Sequence, residues 1–77
     1  ENTQEMLECD LKLEMIAHQD LKDAVAYSES VRDYVSRDLF QNIIESEEEH
    51  IDWLETQLTL ISKVGIQNYQ QSMMESP

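Results

Sequence analysis

Residues 40–64 read FQNIIESEEEHIDWLETQLTLISKV. Phe40, Ile43, Glu47, His50, Leu54, Gln57, Ile61 and Val64 recur at steps of three and four, the spacing that lines side chains along one stripe of an α-helix. Ile44, Ile51 and Leu58 flank that stripe. Gly65 directly after it is a natural terminator. Upstream, Asp33 or Ser36 can cap the first turn, with acidic Asp38 close by. A helix over about 34–64 is predicted. Glu47 and His50 sit on the stripe that must meet a partner helix, whereas Glu45, Glu48, Glu49 and Glu55 mostly do not.

That partner lies upstream. From Gln4 to about Arg32, the residues Leu7, Leu11, Glu14, His18, Leu21, Val25 and Ser28 form a second stripe of the same kind. Met6, Leu13, Ala17, Ala24, Tyr27 and Val31 form another row beside it. Two rows require burial on more than one side, so the helix is too apolar for an isolated hairpin. After Gly65, residues 66–73 suit a short final helix whose Gln67, Asn68, Gln70 and Gln71 fit packing around a pore or symmetry axis. Glu75, Ser76 and Pro77 are expected to fray. The fold class is therefore all-α, a long antiparallel hairpin with a short C-terminal helix, in one partial domain over 1–77. Two helices about 42 Å long cannot bury such seams alone, and below about 80 residues a single core is marginal.

Composition supports helices and narrows the function. One Gly and one Pro in 77 residues cannot supply the turns of a multi-stranded protein. Seventeen acidic residues against five basic ones give a net charge of −12. Such a surface repels phosphate backbones, which argues against nucleic acid as a partner, and concentrates cations instead. No apolar run is long enough to span a membrane. The chain begins at Glu1 with neither an initiator Met nor the segments of a signal peptide, so a processed form or a fragment is expected, in the cytoplasm. The single Cys9 fits a reducing compartment.

Ionisable groups on a buried stripe need a physical reason, because an unpaired buried carboxylate costs several kcal/mol. Counting outward from the expected turn at Arg32 and Asp33 puts Glu14 level with Glu47 and His50. A divalent or trivalent cation would offset both carboxylates. The spacing i, i+3 sets a carboxylate beside an imidazole, and di-iron bundles use one Glu from each of two helices plus Glu-x-x-His from each of the other two. Glu14, Glu47 and His50 are half of that set. Glu-x-x-His is a weak signal alone, and solvated helix surface is the competing reading. His18, one turn from Glu14, suits a place on the surface or a hydrogen bond to a ligand better than direct ligation. No Ser, His and Asp spacing supports hydrolase chemistry.

EMLECDLKLE (5–14), RDYVSRDL (32–39), SEEEHIDWLETQL (46–58) and GIQNYQQSM (65–73) closely resemble the C-terminal half of bacterioferritin, from about Gln4 to Met74. The resemblance implies the third, fourth and short fifth helices of a ferritin-like four-helix bundle, in a shell of 24 subunits that oxidises Fe²⁺ with O₂ and stores ferric mineral. It implies Glu14 and His50 as terminal ligands of a di-iron ferroxidase centre and Glu47 as the bridging carboxylate. It further implies electron transfer near Trp53, a fourfold pore at Asn68 and Gln71, a threefold region at Arg37 and Asp38, and another pore at Asp52. Family haem is held by a Met on the second helix, and Met6, Met15, Met73 and Met74 do not match that position. Completing the bundle would take either a chain carrying the N-terminal half or a second copy of this hairpin. A helical assembly module that binds only adventitious divalent cations is the alternative.

Overall fold

The computed structural model describes residues 3–75, with the side chain of Glu75 excepted; the fraying expected at Ser76 and Pro77 lies outside the described residues. Three helices follow in order: α1 over Thr3–Ser30, α2 over Tyr34–Val64 and α3 over Ile66–Glu75. Glu75 is helical in its backbone, so α3 runs two residues beyond the expected 66–73.

The reversal between α1 and α2 takes three residues. Arg32 adopts a left-handed conformation (φ 61°). This lets its N–H donate to the Glu29 carbonyl at 3.1 Å and the Asp33 N–H donate to the Ser28 carbonyl at 2.8 Å. Those bonds satisfy carbonyls that the end of a helix would otherwise orphan. Asp33 then caps α2, accepting a hydrogen bond from the Ser36 N–H at 3.1 Å. At the other end Gly65 (φ 82°, ψ 153°) closes α2 with its N–H on the Ile61 carbonyl, and its own carbonyl accepts from Tyr69. That backbone region is essentially open only to glycine.

Leu7, Leu54, Ile61 and Tyr69 form the main core, with Leu11, Leu58 and Ile66 packed on it. Tyr69 brings α3 back over the open end of the hairpin, and its hydroxyl donates to Gln57 Oε1 at 2.8 Å. Ile44 is buried farther along α2, toward the turn. Every member of the predicted α1 stripe is buried or half-buried. On α2 the contact line is rotated: Ile44, Ile51 and Leu58, expected as flanks, are buried or half-buried, while Ile43, His50 and Val64 are exposed.

The particle measures 51 × 25 × 18 Å with a radius of gyration of 16.5 Å, against about 11–12 Å for a compact domain of this length. It is a two-helix slab. One broad face is apolar and open: Met6, Leu13, Tyr27 and Val31 on α1, and Val35, Leu39, Leu60 and Val64 on α2, are 39–83% exposed.

Candidate metal centre

Two polar bridges set the register of the hairpin. His18 pairs with Glu48 and Glu29 with Arg37, a register that places Glu14 opposite Asp52. At 1.5 Å rise per residue, Glu14 stands about 3 Å along the axis from His50 and about 7.5 Å from Glu47. The level expected from the sequence is thus kept to within about a turn and a half. Glu14 and Glu47 are half-buried where the seam between the helices opens onto the apolar face, and His50 is exposed. The imidazole of His50 is therefore not in the two-helix interior as its stripe suggested. Ile44, Ile51 and Leu54 fill that interior, and a turn of about 100° per residue carries His50 out onto the face with Ile43 and Val64.

His50 is held there by its neighbour one turn on. The rings of His50 and Trp53 stack with centroids 6.2 Å apart and planes inclined by 11°. Stacking of this kind restrains the imidazole without using either ring nitrogen. Trp53 itself is 47% exposed. Within the chain, and among the described residues, no three His, Cys, Asp or Glu side chains close into a metal-holding group. Glu14, Glu47 and His50 are therefore not closed into such a group by the described residues.

The remaining predicted residues fall elsewhere. His18 is four-fifths buried at its side chain, and its Nε2 is 3.0 Å from Glu48 Oε2. It serves the helix pairing with a glutamate that the sequence assigned to the solvent. The two share a groove of about 500 Å³ with Ile51, Asp52 and Glu55, lined by none of Glu14, Glu47 and His50. Asp52 is exposed there.

Arg37 lies 4.9 Å above the Tyr34 ring and donates to Asp38 Oδ1 from Nη2 at 2.9 Å and from Nε at 3.1 Å. Its Nη1 reaches Glu29 Oε2 at 3.5 Å. The bonds that Arg37 donates, to Asp38 first and then to Glu29, raise the guanidinium pKa above its ordinary value. Asn68 Nδ2 donates to the Val64 carbonyl at 2.8 Å, so this amide finishes α2, while Gln71 is exposed on α3.

Met6, Met15, Met73 and Met74 are 58, 55, 49 and 81% exposed, and Met73 and Met74 line an open apolar groove of about 470 Å³ with Leu7, Trp53 and Tyr69.

The family model of the ferritin-like domain matches residues 1–64. A bacterial ferritin of Synechocystis sp. is 51% identical over 71 residues, covering 91% of this chain and 46% of that protein. A bacterial ferritin of Pseudomonas aeruginosa is 45% identical over 71 residues, with the same shares covered. A bacterioferritin of Brucella melitensis is 44% identical over 71 residues, covering 92% of this chain and 44% of that protein. The chain spans about half the length of the curated relatives it matches. It is all-α, with an antiparallel hairpin at its centre, and it belongs to the ferritin-like family.

Proposed function

We propose that this chain contributes half of a di-iron ferroxidase centre, in a protein that oxidises Fe²⁺ with O₂ and stores the ferric product. The observation that carries the reading is the position of Glu14, Glu47 and His50. Two half-buried carboxylates and an imidazole occupy the middle of a face that is apolar toward both ends. Covering that face removes water from the carboxylates, and each then needs a positive charge. Ferrous ion is the substrate that supplies it.

The chain's residues divide the work by chemistry. Glu14 and Glu47 would hold a pair of cations through carboxylate oxygens, and His50 through its imidazole. His50 binds through a neutral ring nitrogen, and its stack on Trp53 restrains the ring in the orientation binding needs. Three donors from this half leave coordination positions free for the completing half and for dioxygen. Two ferrous ions, as substrate, would each give up one electron, and dioxygen would take the pair with two protons from water to leave as hydrogen peroxide. The net charge of −12 draws cations toward the site and keeps anions away. A larger ferritin-like assembly with a mineral cavity, and the pore roles of Arg37, Asp38, Asp52, Asn68 and Gln71, belong to the same proposal by family likeness.

Initial rates of oxygen-dependent Fe²⁺ oxidation by the assembled protein test it. Glu47→Ala and His50→Ala are each expected to slow the initial rate at least about tenfold, the loss of roughly 1.4 kcal/mol or more of stabilisation. An unchanged rate with both substitutions present excludes this site.

A further inference from the structure

We propose that His18 and Glu48 are positioning residues for the oxidation of Fe²⁺: their bond fixes the rotation of α2 against α1 and so sets where Glu47 and His50 stand relative to Glu14. The inference rests on the ferroxidase half-site reading and adds two residues to it.

The place of the bond carries it first. A carboxylate can only accept, so the Nε2–H of His18 donates to Glu48 Oε2, at 3.0 Å. His18 follows Glu14 by four residues, one turn along the same stripe of α1, and Glu48 stands directly after Glu47 and two before His50. The bond ties the two ligand-bearing segments at their own level. The second bridge of the hairpin, Glu29 to Arg37, lies at the turn, about 15 Å along α2 from Glu47. His18 is four-fifths buried at its side chain, whereas that of Glu48 is more than half exposed. The imidazole is the fixed end, and the glutamate is drawn to it.

Azimuth carries it further. At about 100° per residue, Glu48 and His50 point about 160° apart around α2, with Glu47 between them. His18 holds Glu48 at one edge of the seam, in a groove that none of the ligands lines. That puts His50 at the other edge, exposed, and leaves Glu47 half-buried between the two. Apolar packing chooses this rotation only weakly, because Ile43 and Val64 are as apolar as the row of Ile44, Ile51 and Leu58 that meets α1. The polar bond tells the rotations apart. Side-chain tips lie about 5–6 Å from a helix axis, so a turn of about 10° moves them by about 1 Å. Misplacement of that size can cost on the order of a hundredfold in rate.

The groove also shows what replaces the bond when the imidazole is removed. Lys22, one turn farther along α1, lines it together with Glu48. Its flexible four-carbon stem can neutralise the carboxylate without fixing an angle. Charge balance is then kept while the geometry is lost. His18→Gln places an amide N–H where the Nε2–H stood and keeps the directional bond.

Rates of oxygen-dependent Fe²⁺ oxidation and Co²⁺ absorption spectra of the assembled protein, with unfolding midpoints alongside, test the proposal. His18→Ala and Glu48→Ala are each expected to lower the rate at saturating Fe²⁺ at least about tenfold. Co²⁺ should still bind in both, with its visible bands changed in intensity or position. His18→Gln should restore most of the rate and the bands, which a role in stability alone does not require. Glu48→Ala removes a side chain more than half exposed, so it carries the test if His18→Ala fails to fold. Unchanged rates and bands in Glu48→Ala overturn the proposal. So does a His18→Gln protein that folds normally yet stays as slow as His18→Ala. Both of those outcomes leave the half-site reading standing, which fails instead when Glu47→Ala and His50→Ala together leave the rate unchanged.

Discussion

At Arg32 an ordinary side chain holds a left-handed backbone, φ 61°, because the two hydrogen bonds that end α1 require it. An L-residue pays about 1–2 kcal/mol for that conformation, and glycine loses about 0.5–1 kcal/mol of backbone entropy instead. Arg32→Gly is therefore expected to stabilise the fold by up to about 1 kcal/mol in denaturant unfolding; a loss of stability would show that the Arg32 side chain makes a contact of its own. One residue on, Asp33 has its pKa lowered from 3.8, first by the Ser36 side chain and then by the Ser36 N–H. A carboxylate with its folded pKa below the unfolded one stabilises the fold above the unfolded value. That contribution fades as pH falls through the lower, folded one. The unfolding midpoint should drop in this acid window. Asp33→Asn, which keeps a cap acceptor, should flatten that part of the profile, and an identical profile in both proteins would remove Asp33 from the cause.

Elements were legible in proportion to how much their periodicity left undecided. The α1 stripe from Leu7 to Ser28 is the observed inner face, since the row beside it contains fewer large residues close to the seam. On α2 two apolar rows stand side by side, and spacing alone cannot say which row meets α1 and which meets a later partner. Hence Ile44, Ile51 and Leu58 changed places with Ile43, His50 and Val64. The level of the candidate site survived this rotation, because height depends on counting from the turn and not on azimuth. The bond from His18 to Glu48 was not legible, since it depends on the azimuth that periodicity leaves open. Gly65 was legible as a terminator, and its φ of 82° with ψ of 153° says why. There is room for a methyl group at Gly65, so Gly65→Ala tests backbone strain alone. It is expected to cost on the order of 1–3 kcal/mol and to loosen Tyr69 from the core. Unchanged stability, with the Tyr69 hydroxyl still on Gln57, would mean that α2 and α3 can be joined another way.

As a whole molecule, the chain is a slab 51 Å long and 18 Å in its shortest dimension, with a covered seam and an uncovered apolar face. No helix among the described residues is long and apolar enough to cross a membrane, so that face is not explained by a membrane span. Ferritin-like bundles need four long helices, and this chain supplies two. Glu14 and Glu47 are half-buried and His50 is exposed; on the proposed reading they become interior groups when the bundle closes. The most direct measurement is anaerobic equilibrium dialysis of the assembled protein against Fe²⁺. Two ions bound tightly per four-helix bundle are expected, with both lost in Glu14→Ala. Full uptake in Glu14→Ala, or none in the unsubstituted protein, would contradict a metal centre at this level of the hairpin.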